Sequence, residues 1–269
     1  MNDSYQGFQS FFEIVIADTP ELLEAVYRIR YQVLCVQNSF PDMNAADYPN
    51  QLEKDEYDNH ACHALLRFKS SGAFVGAVRL IMNDPTNSAK LFPVELNTQI
   101  DSQVCNFKTI DRSHTAEISR FVIVGQFDRR KEERRKTPLE EAPASENENI
   151  VVRTDKDRRS NDRRRTPHLS LLLMAGVMRL SVMHNITNWL SAMEPALNRL
   201  LGFYGLNFNP AGPSVNYHGI RRPYCITVNE VLSRMYSQYY DAWEVLTECG
   251  KYDPSSPPLR KISIQESIS

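Results

Sequence analysis

The sequence predicts an α/β (α+β) sandwich around one mixed sheet, on three observations. Apolar runs such as Phe121-Val122-Ile123-Val124 have the length and β-branched content of buried strands. Stretches with helix-start signals alternate with them, Asp18-Thr19-Pro20-Glu21 being the clearest. Two early strands are separated only by Lys69-Ser70-Ser71-Gly72, a polar turn that reads as a hairpin.

Residues 11–16 read as the first strand. A helix follows to about residue 33, with a capping side chain at 18–19 and Pro20 in its first turn, where a missing N–H costs nothing. Strands over 62–68 and 74–82 form the hairpin, and the Phe121 run is the next strand. Thr166-Pro167 opens a helix through the apolar stretch 169–183. A strand over 186–193, a short helix from Pro195 to about 204, a last strand over 224–228 and a helix over about 230–247 complete the order.

Composition narrows the class. The chain has 269 residues, 42% hydrophobic and 24% charged, with a net charge of -2, which fits one or two globular domains. Its first cation is Arg28, so the basic start of a signal peptide is missing, and residues 8–12 are too short and polar for its apolar core. The stretch 169–183 falls short of the roughly 20 residues that cross a bilayer. The expectation is a cytoplasmic protein without a transmembrane segment. Five cysteines in no C-x-x-C arrangement suit reduced thiols rather than a disulfide framework.

Residues 126–166 differ in kind. Of the chain's 31 Lys and Arg, 13 lie here, with 10 of its 33 Asp and Glu, and large apolar side chains are scarce. Such a segment buries too little surface to offset its chain entropy, so it reads as a flexible Arg-rich insertion in a single domain. It contains a repeat: residues 128–138 and 157–167 are identical at 7 of 11 positions, including Asp-Arg-Arg and Thr-Pro. It is either a solvated charged loop or an arm that docks an acidic partner. The remaining 18 cations against 23 acids offer no basic face to nucleic acid.

The chemistry concentrates where charge interrupts apolar sequence. Glu117-Ile118-Ser119-Arg120 opens the Phe121 strand, and a carboxylate and a guanidinium there need either an ion pair or a reaction to explain them. Arg79 lies inside Val75-Gly76-Ala77-Val78-Arg79-Leu80-Ile81, either facing solvent or partnered by the acidic loop Glu53, Asp55, Glu56 and Asp58. Arg28 and Arg30 end the first helix. Strand alternation puts Glu117, Ser119 and Phe121 on one face and Arg120 on the other, so a site using both requires a strand end or a bulge.

These residues, in order, carry a resemblance. Arg30-Tyr31-Gln32-Val33-Leu34 with Phe40, then Glu53-x-Asp55-x-Tyr57-Asp58, then Arg79-Leu80, then Glu117-x-Ser119-Arg120-Phe121 resemble the signature of the acyl-homoserine-lactone (autoinducer) synthases. The related N-acyl amino acid synthases, and the acyltransferases associated with exosortase and PEP-CTERM protein sorting, share that acyl-transfer fold within the GNAT superfamily, and this chain looks most like the exosortase-associated group. The resemblance covers residues 12–125, and 166–230 by element order.

It implies a GNAT-like acyl-CoA N-acyltransferase fold, with a central mixed, mostly antiparallel sheet flanked by helices. The activity implied is transfer of a fatty acyl group from an acyl carrier protein thioester to a small amine, with no tightly bound cofactor. Arg30, Phe40, Asp55, Asp58 and Arg79 would shape the acceptor pocket. Glu117 and Ser119 would be catalytic, and Arg120, with Phe121 beside it, would support the acidic loop or the donor. Autoinducer synthases have Phe and Trp where this chain has Leu34 and Phe40. That departure turns the expected acceptor from S-adenosylmethionine to an amino acid or another amine. The rivals are a homoserine-lactone synthase using S-adenosylmethionine and a non-catalytic acyl-carrier or lipid-binding module. GNAT enzymes that use coenzyme A usually place a Q/R-x-x-G-x-G/A loop after this strand, and its absence here favours the carrier-protein donor over a coenzyme A thioester.

The chemistry points the same way. An amine attacking a thioester must lose a proton, for which Glu117 is the candidate base, and Ser119 or a backbone N–H where two strands splay must meet the oxyanion. No G-x-S-x-G supports a nucleophile triad. His60, Cys62 and His63 supply too few ligands for a metal. Met174, Met178 and Met183 read as core or as the wall of an acyl tunnel. Trp189 and Phe203 read as core, and Tyr236, Tyr239, Tyr240 and Trp243 as a packing stripe.

Overall fold

The computed structural model describes residues 3–38, 43–105, 110–125 and 168–255. Phe40, the Arg-rich repeats, the Thr166-Pro167 helix start and the last fourteen residues lie outside these.

An eight-stranded sheet organises the chain in the order β1-β2-β3-β4-β5-β8-β6, with β7 paired to β8. Its strands are β1 (Phe12–Ile16), β2 (Ala61–Phe68), β3 (Phe74–Met82), β4 (Thr115–Ile123), β5 (Asn188–Met193), β6 (Asn209–Pro210), β7 (Val215–Asn216) and β8 (Ile220–Thr227). Every pairing is antiparallel except β4 with β5, which is parallel. The sheet is therefore mixed and mostly antiparallel, as expected.

Helices cover both faces. α2 (Pro20–Arg30) starts where the sequence places it: the Thr19 side chain accepts a hydrogen bond from the Leu22 N–H at 3.3 Å, and Pro20 opens the first turn. A π-helical segment, Tyr31–Gln37, extends it. On this face Val26, Ile29 and Val33 pack against Leu65 and Ala77. On the other lies α4 (Leu169–Met183), buried on nearly all sides, as a helix apolar all round must be. Gly176 sets its approach, since a Cβ there would stand 2.9 Å from that of Ala64 on β2. Two of the helix's polar groups find partners, Trp189 Nε1 donating to Ser181 Oγ at 2.9 Å and Arg179 reaching the Ile14 carbonyl at 3.0 Å, whereas the buried Ser170 hydroxyl has none among the described residues.

Among the described residues the remaining helices are α1 (Asp3–Phe11), α3 (Pro93–Asn97), α5 (Pro195–Gly202), α6 (Val228–Gln238) and α7 (Tyr240–Thr247). The C-terminal helix is thus two, broken at Tyr239, whose backbone (φ -137°, ψ 49°) is not helical. The break alters the aromatic stripe. Trp243 is buried and Tyr240 stacks on it at 5.4 Å, but Tyr236, Tyr239 and Tyr240 are exposed. Phe203 is 76% exposed and not core, because it caps the end of α5 and leaves the packed face. Trp189 is fully buried, as are Met174 and Met178, whereas Met183 points to solvent. No helix among the described residues is long and apolar enough to cross a membrane.

Candidate active site

The acidic loop is shaped by its own side chains. Asp55 caps the 3-10 turn Glu56–His60, accepting from the Tyr57 N–H at 2.9 Å, and Asp58 reaches back to accept from the Asp55 N–H at 2.8 Å. This reciprocal capping box fixes both carboxylates before any cation meets them. Glu53 is held through its N–H on the Tyr27 carbonyl of α2, at 3.1 Å.

Opposite the loop, β3 delivers Arg79 and β4 delivers Glu117, Ser119 and Arg120. Alternation alone would turn Arg120 away from Ser119, but the ladder slips. Ala77 pairs with Val122 and Arg79 with Ser119, so β4 spends one more residue than β3. Arg120 absorbs it as a bulge residue at φ 48°, in the left-handed region. For a residue with a Cβ that conformation costs about 1–2 kcal/mol. Two carboxylates hold it: Arg120 Nε donates to Glu53 Oε1 and Nη2 to Asp55 Oδ2, each at 3.0 Å.

Arg30 and Arg79 complete the network, both buried. Arg30 donates through Nε to Glu53 and through its two Nη atoms to Asp58, at 2.7 and 3.2 Å. Arg79 Nη1 bonds Asp55 at 2.6 Å and Asp58 at 3.0 Å, and its Nε donates to Ser119 Oγ at 2.9 Å. Three guanidiniums thus meet three carboxylates, the compensation that buried charge requires. Burial by itself would raise the carboxyl pKa values. The guanidiniums outweigh it: Arg30 holds Asp58 well below the usual carboxylate range, Arg30 and Arg120 lower Glu53, and Arg79 lowers Asp55. Behind the network, burial and then the neighbouring Arg30 push His63 down to about 3, so it stays neutral.

Glu117 behaves in the opposite way. It is buried, and the Val94 N–H of α3 donates to its Oε2 at 2.8 Å. Burial pushes its pKa up to about 7, with the Val94 N–H, Arg79 and Arg120 opposing only in part. Carboxyl groups of one site are thereby driven in opposite directions, a pattern that separates charge-holding from proton-moving groups.

Glu117 opens into a cavity of about 150 Å³ with two kinds of wall. Asp55, Tyr57, Arg79, Ser119 and Arg120 form the polar end, while Met174, Met193, Leu197, Leu201 and Phe208 form an apolar end. The cavity exists because the parallel ladder stops early. β4 and β5 pair only through Glu117 opposite Leu190, although β4 runs on to Ile123 and β5 to Met193. Ser191 Oγ donates to the Ile118 carbonyl at 2.9 Å and pins the fork where the strands part. Beyond it, the facing backbone edges have no ladder partner in each other and line a slot.

The structure brings Arg30, Asp55, Asp58, Arg79, Glu117, Ser119 and Arg120 together, and Phe121 and Leu34 reach the same cavity. Arg79 is therefore partnered, not solvent-facing. Arg120 joins through the bulge that the sequence reading required, and it supports the acidic loop. Arg30 and Asp58 lie behind the wall and do not line the cavity. Arg28 and Glu56 point outward to Glu24 (2.6 Å) and Lys90 (3.0 Å). Among the described residues no group of three His, Cys, Asp or Glu side chains is placed to hold a metal. Sequence reasoning missed the third wall, made by Tyr217, His218 and Arg221 of the β7–β8 hairpin, and the Val94 N–H on Glu117. Pro93, a first-turn proline, marks α3 in the sequence, and nothing marked the hairpin.

Comparison with known proteins gives this geometry a class. Residues 29–135 match the family described as Acetyltransferase (GNAT) domain. No curated protein matches in sequence. Among solved structures, BjaI, described as a CoA-dependent acyl-homoserine lactone synthase with SAM and isopentyl-CoA, aligns with a TM-score of 0.52 at 17% identity, covering 89% of this chain and 99% of its own. TofI, in a ternary complex with an inhibitor and MTA, aligns at 0.51 and 13% identity, covering 86% and 96%. FeeM, an N-acyl amino acid synthase from uncultured soil microbes, aligns at 0.48 and 12%, covering 85% and 97%. The fold is the GNAT fold.

Proposed function

We propose that this single acyltransferase domain moves a fatty acyl group from an acyl carrier protein thioester to the amino group of a small molecule, an amino acid being the acceptor class. Glu117 is the observation that carries this reading: a buried carboxyl with its pKa at about 7, facing a cavity that is polar at one end and apolar at the other. A base of that pKa is half ionised at neutral pH, where proton acceptance is most useful.

The acceptor amine enters at the polar end and gives its proton to Glu117, directly or through one water. Its lone pair attacks the thioester carbonyl carbon, and the negative charge gathers on the carbonyl oxygen. Ser119 Oγ already accepts from Arg79 Nε, which leaves its O–H to donate toward that oxygen, beside N–H groups released where β4 and β5 part. Collapse expels the donor thiol and leaves an amide. Met174, Leu197 and Leu201 supply the apolar wall for the acyl chain. The donor assignment rests on the sequence: Val124-Gly125-Gln126 replaces the pyrophosphate-binding loop, and the Arg repeats suit an acidic carrier surface. The residue pattern best fits the exosortase-associated group.

The test is thiol release by purified protein given dodecanoyl-acyl carrier protein or dodecanoyl-CoA with each amino acid in turn. Amine-dependent release, faster with the carrier, is expected. No amine-dependent release with either donor would refute the reading.

A further inference from the structure

Of the residues that sequence order assigns to the acceptor pocket, Arg30 and Asp58 are sealed behind the network, and the Arg79 and Arg120 guanidiniums are engaged by Asp55, Asp58 and Glu53. That wall compensates itself, three cations against three carboxylates, and holds no positive surplus for an anionic ligand. Glu117 adds a further carboxylate. A ligand carboxylate entering here meets Asp55 and Glu117 and needs another cation to stay ionised. Among the described lining residues, the remaining guanidinium is Arg221, on the β7–β8 hairpin.

Its setting suits that role. Arg221 is the second residue of β8, just after the tight turn Tyr217-His218-Gly219, in which His218 (φ 50°) and Gly219 (φ 93°) are left-handed, and the Tyr217 N–H bonds the Gly219 carbonyl at 2.9 Å. The β7–β8 ladder, Val215 with Arg221, fixes its backbone. Its Nη2 donates to the His218 carbonyl at 3.1 Å, which orients the fork, and Nη1 donates to Glu194 at 3.0 Å. The Arg221 side chain is 18% exposed and that of Glu194 48%, so solvent reaches this pair mainly from its acidic side. Solvent screening keeps the contribution of such a pair small. An acidic ligand held inside the cavity competes for the fork on favourable terms, because a guanidinium matches a carboxylate with two parallel bonds.

We propose that Arg221 is a subsite for an anionic oxygen group of a substrate, and that this group is the acceptor's carboxylate. The other source of the same chemistry is the phosphate of the donor's phosphopantetheine arm. The proposal rests on the acyl-transfer reading above for its substrates, and its test includes a binding arm that needs no turnover.

The kinetic arm compares wild type, Arg221→Gln and Glu194→Gln with an amino acid and with its carboxamide, using dodecanoyl-acyl carrier protein and the phosphate-free dodecanoyl N-acetylcysteamine thioester. The expected result is a KM for the amino acid raised about 10- to 100-fold in Arg221→Gln with kcat little changed, the carboxamide's KM unmoved, and the amino acid's KM lowered in Glu194→Gln. If instead the donor's KM rises only with the phosphate-bearing thioester, the anionic subsite stands and its source is the donor. Equal effects on acid, carboxamide and both donors would overturn the subsite. The binding arm titrates N-dodecanoylglycine and its carboxamide into each protein by calorimetry. Preference for the acid in wild type, lost in Arg221→Gln and strengthened in Glu194→Gln, supports the subsite even if no transfer is seen. Equal binding of acid and carboxamide to wild type would sink it even if transfer is robust. Circular dichroism of each variant separates loss of the hairpin from loss of charge.

Discussion

Replacing Glu117 by Gln separates the requirement of the chemistry from the requirement of the fold. The ordinary value for a glutamate is 4.5 and Glu117 sits at about 7, a difference that corresponds to about 3 kcal/mol at ~1.4 kcal/mol per pH unit. Because the folded-state pKa is raised, the folded protein holds a proton between pH 4.5 and 7 that the unfolded chain releases. Stability therefore falls as pH rises through that window, and above it the ionised, buried carboxylate imposes the full cost. Gln keeps the shape and an oxygen for the Val94 N–H but cannot ionise. Urea unfolding at pH 5 and pH 8 is the assay. The variant is expected to gain up to about 3 kcal/mol over wild type at pH 8 and little at pH 5, while acyl transfer drops by about 10²–10⁴-fold. The limb of the wild-type pH–rate profile that rises through about 7 should vanish with it. A variant no more stable than wild type at pH 8, or a gain that does not change with pH, would refute the reasoning that burial drives the raised pKa.

Other substitutions report on other parts of the site. Asp58→Asn removes a carboxylate shared by Arg30 and Arg79 and should cost about 3–5 kcal/mol at pH 7. Since Asp58 is held below its ordinary pKa, that stabilisation is present above about pH 4 and lost on acidification, so the gap should narrow in acid denaturation curves. Arg120→Gly should be more stable than Arg120→Ala by about 1 kcal/mol in the same assay, because only glycine adopts φ 48° without strain. Equal stabilities would mean that the bulge relaxes once its ion pairs are gone. Leu201→Trp narrows the apolar end and should shift product chain lengths downward without raising the acceptor's KM, read by mass spectrometry of the products.

Local signals in the sequence were enough for much of the framework. Thr19-Pro20 caps and starts α2, the Lys69–Gly72 turn joins β2 to β3, and Pro195 opens α5, because each works through neighbours a few residues away. Glu117, Arg79 and the acidic loop stood out because charge inside apolar runs demands a partner. What was not legible depends on distant chain. The β4 bulge exists only relative to the β3 register, so alternation could call for it without locating it. Phe203 and Phe208 look alike as aromatic residues, yet one is 76% exposed and the other buried in the cavity wall, a difference set by where α5 ends. The helix break at Tyr239 has no Pro or Gly to announce it. The hairpin carrying Tyr217 and Arg221 reads as ordinary polar loop until β8 folds it over the slot.

Acyl transfer to a small amine is tested most directly by mass spectrometry of lipid extracts from a bacterial host expressing wild type beside Glu117→Gln. The account predicts N-acyl amino acids in the wild-type extract that are absent from the variant. Acyl-homoserine lactones in their place would contradict the acceptor, and identical extracts from the two strains would contradict catalysis through Glu117.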